Sequence, residues 1–158
     1  MKNNKGITLI SLVITIILLM ILTFTVAINV ENYNSEKIKS NFKSDIKTLE
    51  EEVNQYYARI KELPIANEYE NVLMLEGVKN INDGDKYYII DIKQLDLVLN
   101  NGHDYEELYK RNKTDKISDL TDLYIINEQS HTIYYPKGAN YDGKIHYTLD
   151  NSYTQIIY

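Results

Sequence analysis

Three histidines are the side chains best suited to acid–base or metal chemistry, and they lie far apart in the sequence, at His103, His131 and His146. The sequence contains no pair of histidines four residues apart, no serine framed as a nucleophile elbow and no glycine-rich phosphate loop. It also contains no cysteine, which removes thiolate nucleophiles and thiolate zinc sites. We therefore predict no catalytic residue, no metal and no cofactor, and a protein that is not an enzyme.

A group of oxygen-bearing side chains surrounds Gly84 and could in principle hold calcium. Its members are Asn80, Asn82, Asp83 and Asp85. No glutamate at the required distance completes an EF-hand loop, and asparagine, aspartate and glycine are the residues that turns select. We predict a solvated turn rather than a metal site.

A short basic stretch in the second half of the chain could contact nucleic acid phosphates. It comprises Lys110, Arg111, Lys113 and Lys116. Asp115 interrupts the stretch, and the whole chain carries a net charge of -6. Because electrostatic binding to phosphates needs the opposite balance, we expect a solvated loop and no nucleic acid partner.

An apolar run near the beginning of the chain is the longest uncharged segment. Residues 7–28 contain no charge, glycine or proline. As a helix they would rise roughly 33 Å, enough to cross a hydrocarbon core of about 30 Å. Lys2 and Lys5 precede the run and Glu31 follows it. This charge pattern predicts a single-pass membrane protein with a cytoplasmic N-terminus and an extracellular C-terminal part.

Three kinds of targeting segment compete for this run. A secretory signal peptide has an apolar region of roughly 7 to 15 residues before a small-residue cleavage site. Thr25-Val26-Ala27 would serve as such a site, but the apolar run is too long. A plain signal anchor fits the length. The third interpretation depends on Gly6, which stands between the charged residues and the apolar run.

The eight residues at this junction are Lys5-Gly6-Ile7-Thr8-Leu9-Ile10-Ser11-Leu12. They resemble the cleavage motif of type IV pilins and pseudopilins, which typically reads K-G-F-T-L-I-E-L. The resemblance implies that a prepilin peptidase cleaves between Gly6 and Ile7 and methylates the new amine of Ile7. A glycine suits this position because the backbone must enter a protease cleft in an extended, unhindered form.

The resemblance also implies the division of the chain and its partners. Residues 1–6 would be a cleaved leader peptide with Lys2 and Lys5 as its charges. The mature chain would be a subunit of a type IV pilus or of a type II secretion-like pseudopilus at the cell surface. Its partners would be other pilin subunits in a helical homo- or hetero-filament, the prepilin peptidase, the inner-membrane assembly platform and membrane lipid.

One position departs from the motif. Ser11 stands where the family has a glutamate, whose carboxylate pairs with the N-terminal amine of a neighbouring subunit. Ser11 cannot supply that charge, which favours a minor or priming subunit. The alternative function is a monomeric, signal-anchored extracellular binding module. An exported enzyme would need a pocket with convergent titratable groups.

Three hydroxyls of the apolar run share one helix face, since Thr8, Ser11 and Thr15 are spaced i, i+3 and i+7. They could form contacts between helices in the membrane or the filament. We expect instead that each hydroxyl donates to the carbonyl of the residue four positions earlier.

Apolar residues continue to recur every three or four positions beyond the run, which predicts an amphipathic helix. The stripe comprises Ile38, Phe42, Ile46 or Asp45, Leu49, Val53, Tyr56 or Tyr57, Ile60 and Leu63. Pro64 should end the helix near Leu63. We predict one helix from about residue 7 to 62. Its first half, 7–28, lies in the membrane or filament core, and its second half, 29–63, packs on a head rather than forming a coiled-coil stalk.

Residues 64–158 should form a globular, β-rich head. Strands are predicted at 72–75, 86–92, 123–127, 131–135, 144–149 and 153–158, and short helices at 94–99 and 105–110. The three-residue loop 128–130 and the Asp142-Gly143 turn favour antiparallel pairing. His131 and His146 then fall on neighbouring strands, where we expect a cross-strand pair.

The helix stripe should cover the apolar face of this sheet. The predicted fold class is therefore α+β, a type IV pilin-like lollipop with one long N-terminal helix packed against a small antiparallel sheet. The C-terminal part also resembles the heads of Gram-positive pilin-like proteins, with His146 in place of the usual tyrosine. The residues that carry this second resemblance are Tyr134, Pro136, Gly138, Tyr141, Gly143, Lys144, Tyr147, Thr148 and Leu149.

Overall fold

One long helix, α1, runs from Lys5 to Ile60 and confirms the continuous helix predicted at about 7–62. The computed structural model describes the backbone of residues 5–70, 84–149 and 154–156, and the side chains of residues 9–26, 33–70 and 84–149. The chain forms two compact units, Met1–Lys37 and Ile38–Tyr158. The unit that contains the predicted head therefore begins at Ile38 and includes the last part of α1.

The helix ends earlier than the predicted stop at Leu63. Lys61 adopts a left-handed conformation with a φ of 67°, and its backbone N–H donates to the carbonyl of Tyr57 at 2.8 Å. A left-handed residue directly after a helix reverses the chain while it satisfies one of the last free carbonyls. Because Pro64 excludes the helical conformation for the residue before it, the chain leaves the helix in the residues ahead of it.

Seven strands and one short second helix follow in the described part of the unit. A four-stranded antiparallel sheet has the order β1-β2-β3-β4, and a three-stranded antiparallel sheet has the order β5-β6-β7. The elements are β1 Ile65–Glu68, β2 Tyr87–Ile90, α2 Tyr105–Leu108, β3 Ile125–Asn127, β4 Ile133–Tyr134, β5 Ala139–Tyr141, β6 Lys144–His146 and β7 Thr154–Ile156.

Two of the differences from the sequence predictions concern local structure. Strand β1 lies outside the strands predicted from the sequence, and it pairs with β2. The short helix predicted at 94–99 is wrong, because the chain forms successive turns there and Asp96 has a φ of 53°. The carboxylate of Asp91 accepts a hydrogen bond from the backbone N–H of Lys93 at 3.1 Å, which favours a turn over a helix. The helix predicted at 105–110 is confirmed in shorter form as α2.

Both predicted turns connect antiparallel strands, although the first connection, 128–132, is longer than the predicted loop 128–130, and β5 was not among the predicted strands. Strands β3 and β4 pair with Ile125 opposite Tyr134, and β5 and β6 pair with Tyr141 opposite Lys144. Asp142 and Gly143 form the connection of the second hairpin with φ values of 53° and 69°. Two successive left-handed residues give a turn whose twist matches that of antiparallel strands, which is why Asp-Gly pairs favour it.

The sequence predicts one small antiparallel sheet. The C-terminal strands instead form a second sheet that does not extend the first. A turn separates them, in which the backbone N–H of Gly138 donates to the carbonyl of Tyr135 at 2.9 Å. The N–H of Tyr135 donates to the carbonyl of Tyr147 at 2.8 Å and so joins the end of the first sheet to the second. Pro136 cannot donate to a ladder, so β4 stops and the chain changes direction.

The strand predicted at 72–75 lies outside the described residues. Three of the four oxygen-bearing residues around Gly84, namely Asn80, Asn82 and Asp83, lie outside them as well. Asp85 is described, and its carboxylate accepts a hydrogen bond from the side-chain amide of Asn127 at 3.0 Å. This side chain therefore stabilises the start of β2 against the end of β3.

The apolar stripe of α1 packs against the first sheet, which confirms the α+β arrangement. Its central residues are fully buried, and its end residues Ile38 and Ile60 are exposed. The buried stripe residues are Phe42, Ile46, Leu49 and Val53, and they share one core with Tyr87, Ile89, Ile90, Ile125, Ile126, Ile133 and Tyr134. Their spacing of three and four residues keeps them on one face of the helix.

A charged residue lies within this buried stripe. The side chain of Asp45 is only 2% exposed, and five hydrogen bonds reach its two carboxylate oxygens. The backbone N–H and the side-chain amide of Asn100 donate to one oxygen at 2.9 and 2.8 Å. The same two groups of Asn101, each at 2.9 Å, and the hydroxyl of Tyr124 at 2.9 Å donate to the other. A buried carboxylate is tolerated only with such a set of donors.

A second buried carboxylate, Asp122, lies next to the same loop. It accepts hydrogen bonds from the backbone N–H of Gly102 at 2.8 Å, the hydroxyl of Tyr135 at 2.7 Å and the ammonium of Lys137 at 2.6 Å. Burial alone would raise the pKa of Asp122, but the hydrogen bonds from Lys137, Tyr135 and Gly102 together hold it well below its usual value. Asp122 therefore stays ionised and keeps the loop attached to β4.

Replacing Asp45 with alanine should destabilise the unit by about 3 kcal/mol, because several buried donors lose their acceptor at once. The measurement is a urea titration of the full chain in detergent micelles, followed by the near-ultraviolet signal of its tyrosines. Glu51→Ala, an exposed change on the same helix, is the matched control and should leave the midpoint almost unchanged. Equal midpoints for the two variants would contradict the role given to Asp45.

Candidate functional site

The first unit exposes a continuous apolar surface along α1. Leu9–Val26 has a mean hydropathy of 2.9, and none of it is buried. The exposed fractions of its large apolar side chains range from 44% at Ile16 to 68% at Phe24. Eighteen residues in a helix rise about 27 Å, so this helix is long and apolar enough to cross a membrane.

The threonine hydroxyls of this segment are satisfied within the helix. The hydroxyl of Thr15 donates to the carbonyl of Ser11 at 2.8 Å, and that of Thr23 donates to the carbonyl of Leu19 at 2.7 Å. Thr25 donates to the carbonyl of Ile21 at 3.0 Å. This confirms, for Thr15, the bond to a carbonyl four residues earlier. Hydroxyls satisfied in this way cost little when the helix is transferred from water to an apolar surrounding.

Such an exposed surface is unfavourable in water. Fourteen of the eighteen residues of Leu9–Val26 are aliphatic, aromatic or methionine. Complete burial of a side chain of this kind contributes up to about 1.5 to 3 kcal/mol of favourable free energy. Exposed apolar surface of this extent marks a site of interaction with a membrane or with other protein chains. The segment is therefore the candidate functional site of the first unit.

The predicted processing residues lie at the start of the same helix. Lys2 lies outside the described residues, Lys5 is the first residue of α1, and Gly6 and Ile7 follow within its first turn. The first four N–H groups of a helix have no partner inside it. The backbone at Gly6 and Ile7 therefore leaves few hydrogen bonds behind if this turn unwinds. Ser11 is exposed, on the second turn of the helix.

The three histidines are not brought together. His103 Nδ1 lies 3.0 Å from a carboxylate oxygen of Asp122, and His131 meets the edge of Tyr57 with ring centroids 5.0 Å apart. His146 is stacked on Tyr141 at 3.8 Å. The predicted cross-strand pair of His131 and His146 is wrong, because His131 lies in the β3–β4 connection and His146 in the second sheet. Among the described residues, no three His, Asp or Glu side chains converge in a metal-binding group.

The basic stretch is largely neutralised by acidic neighbours. Lys110 pairs with Glu107 at 2.6 Å, and the guanidinium of Arg111 donates to both carboxylate oxygens of Asp119 at 2.9 and 2.7 Å. Lys116 lies 3.3 Å from Glu68 and 2.9 Å from Glu70. These pairs fit the predicted solvated loop better than a phosphate-binding surface.

The second unit carries an open groove of about 580 Å³ beside α2. Its walls include Tyr105 and Tyr109, which stack on each other at 6.0 Å, and Val98 at its rim is 97% exposed. Lys93 lies 3.7 Å above the ring of Tyr109, and the hydroxyl of Tyr109 donates to the carboxylate of Asp91 at 3.2 Å. The lining of the groove is mainly apolar and includes the charged residues Lys93, Glu106 and Lys110.

Sequence reasoning missed the two carboxylate networks. Asp45 was named only as an alternative to Ile46 in the stripe, and Asn100, Asn101 and Asp122 were not singled out. The signal that could have found Asp45 is an acid at a position where helical periodicity demands an apolar residue.

Comparisons of the chain with protein-family models, with curated protein sequences and with solved structures found no match.

Two charges in the apolar segment should prevent stable membrane insertion. Each aspartate near the centre of a spanning helix costs about 3 kcal/mol, while each aliphatic residue contributes about 0.3 to 0.6 kcal/mol. The double variant Ile14→Asp with Ile21→Asp should therefore cancel most of the favourable energy. The measurement is the fraction that stays with membranes after alkaline extraction. Val98→Asp, in the second unit, is the control, and full retention of the double variant would contradict the membrane role.

His146 should make the second unit sensitive to mild acid. Burial lowers the pKa of His146, although the backbone of Tyr141 and the carboxylate of Asp142 oppose the change, while Lys144 and Lys43 add to it. Below an unfolded pKa of about 6.5, the unfolded chain takes up a proton before the folded chain does. The stability present above that pH is therefore lost as the pH falls towards the folded pKa.

The measurement is the free energy of unfolding of the full chain in detergent at neutral and mildly acidic pH, compared with His146→Gln. The wild-type protein should lose more stability on acidification than the variant, which lacks the titrating ring. Parallel pH dependences would show that His146 does not titrate differently in the folded and unfolded states.

Proposed function

We propose that this chain is a structural subunit of a type IV pilus or of a type II secretion-like pseudopilus. A prepilin peptidase removes residues 1–6, and the mature chain packs with other subunits into a helical filament. Subunits that join through repeated contacts between different surfaces build an open fibre rather than a closed ring. The protein acts by assembly and has no catalytic role.

The observation that carries the proposal is a difference between two parts of α1, one exposed and apolar, the other with a buried apolar stripe. Leu9–Val26 is apolar and exposed on all sides, while the same helix further on carries the buried stripe of Phe42, Ile46, Leu49 and Val53. The first segment needs a cover that the described chain does not provide. A bilayer supplies it before assembly and the equivalent helices of other subunits supply it afterwards, which supports a subunit that moves from membrane to filament.

The charges around the span support its orientation. Lys2 and Lys5 precede it, and positive residues flanking a first span stay in the cytoplasm. The unit Ile38–Tyr158 would then lie outside the cell, and the cleavage site between Gly6 and Ile7 would face the cytoplasmic side of the membrane. After assembly the filament would stand at the cell surface.

Ser11 bears on the type of subunit. It lies in the exposed apolar segment and offers a hydroxyl where the family motif has a carboxylate. Without that charge, the mature N-terminal amine of a neighbouring subunit finds no ionic partner at this position. We therefore favour a minor or priming subunit, which joins few copies of itself, over the main building block of a filament.

A signal-anchored extracellular binding module is the second candidate, and the groove beside Tyr105 and Tyr109 is the feature that favours it. In that case the span anchors a monomer, the leader stays attached and the groove holds a ligand. The two functions differ in the chemical start of the mature chain, which makes processing the decisive measurement.

Wild-type protein extracted from cells with an active prepilin peptidase should begin at a methylated Ile7. Gly6→Val should block processing almost completely, because a β-branched side chain hinders the extended backbone in the protease cleft. The measurements are intact mass and N-terminal sequencing. Ser11→Ala is the control, since it alters the motif beyond the cut bond and should be processed normally. A wild-type chain that retains Met1 would exclude the pilin function and favour the signal-anchored module.

A further inference from the structure

The loop that holds Asp45 contains the one Asn-Gly pair in the sequence, Asn101-Gly102. This dipeptide is chemically labile because glycine has no side chain to keep its backbone nitrogen away from the asparagine amide. We propose that Asn101 is a deamidation site which the native fold holds inactive, and whose product cannot re-form the Asp45 network. The inference concerns the second unit alone and is independent of the proposed function.

The reaction needs only water. The backbone nitrogen of Gly102 attacks Cγ of Asn101, a C–N bond forms, and the bond from Cγ to Nδ2 breaks. The proton of the attacking nitrogen leaves with the amide nitrogen as ammonia. Water then opens the resulting succinimide at either carbonyl, which gives aspartate or isoaspartate at position 101. Asn101 and Gly102 both line the open groove, so water has access to the ring.

In the native structure both reacting groups are held by different carboxylates. The N–H of Gly102 donates to Oδ1 of Asp122 at 2.8 Å, and removing that proton would place a second negative charge beside a carboxylate. The backbone N–H and the side-chain amide of Asn101 both donate to Oδ2 of Asp45, each at 2.9 Å. Because both groups donate to the same oxygen, the side-chain amide of Asn101 is held close to the backbone N–H of Asn101 itself.

The leaving nitrogen is also restrained. Besides its bond to Asp45, Nδ2 of Asn101 donates to the hydroxyl of Tyr124 at 3.3 Å. Ring closure must break these hydrogen bonds before any new bond forms. The reaction should therefore proceed only through the small fraction of molecules in which the loop has opened.

The product is incompatible with the closed loop. Aspartate at position 101 would place a carboxylate oxygen where Nδ2 now lies, 2.9 Å from Oδ2 of Asp45. Two carboxylates at that distance cannot both stay ionised without repulsion. Isoaspartate would also add one carbon to the backbone between positions 101 and 102, which would displace the N–H of Gly102 from Asp122, to which it now donates at 2.8 Å. Deamidation of Asn101 would thus convert a reversible opening of the loop at Asp45 into a permanent one.

The first test compares reaction rates at position 101. Full-length protein is incubated in detergent micelles in mildly alkaline buffer, folded or unfolded by urea, and the peptide containing residue 101 is analysed by mass spectrometry that separates aspartate from isoaspartate. The folded chain should react at least about tenfold more slowly, because only opened molecules react. Equal rates in the two states would overturn the protection by the fold.

The second test concerns the product. Asn101→Asp should unfold at a temperature lower by about 5 °C or more than Asn101→Ala, because repulsion from Asp45 adds to the loss of the amide donors. Asn54→Asp adds the same charge at an exposed position of α1 and should unfold close to wild type. A failure of Asn101→Asp alone to fold would support the inference. An Asn101→Asp protein as stable as Asn101→Ala would overturn the incompatibility of the product.

Discussion

A carboxylate in the apolar stripe of a helix can be buried only where the rest of the fold brings donors to it, and Asp45 imposes that constraint on the second unit. Five hydrogen bonds from Asn100, Asn101 and Tyr124 meet its two oxygens. Because hydrogen bonds depend on both distance and direction, they fix the rotation of the helix and the path of the loop together. Apolar contacts alone would tolerate several such arrangements.

The tyrosines extend this constraint through the core. Tyr124 stacks on Tyr135 with ring centroids 4.9 Å apart, and the hydroxyl of Tyr135 donates to Asp122. Two buried carboxylates are thus connected through two rings. The chain has 15 tyrosines, two phenylalanines and no tryptophan, so its core gains apolar area from rings that also carry hydrogen-bonding groups. Burial raises the pKa of Tyr69 to about 12, further above physiological pH than the usual phenol value of about 10.

The two units place opposite demands on their surroundings. Many of the buried polar groups of the second unit are satisfied by its own residues, as at Asp45 and Asp122, whereas the exposed aliphatic surface of Leu9–Val26 requires a partner. Assembly is a natural way to meet such a requirement, and it motivates the pilin proposal. Independently of that proposal, the same hydrogen bonds that position the Asn100–Asn101 loop would limit deamidation there.

The sequence alone determined the features that depend on near neighbours. The uncharged run predicts the span, the spacing of Phe42, Ile46, Leu49 and Val53 predicts the buried face of α1, and Asp142-Gly143 predicts a tight hairpin. Tertiary structure alone decided the partners of Asp45, the pairing of β1, the division of the strands into two sheets and the separation of His131 from His146. Periodicity and turn chemistry act over a few residues, so they fix local conformation. Hydrogen-bond partners separated by 55 residues or more, such as Asp45 and Asn100, are chosen only when the folded chain brings them together.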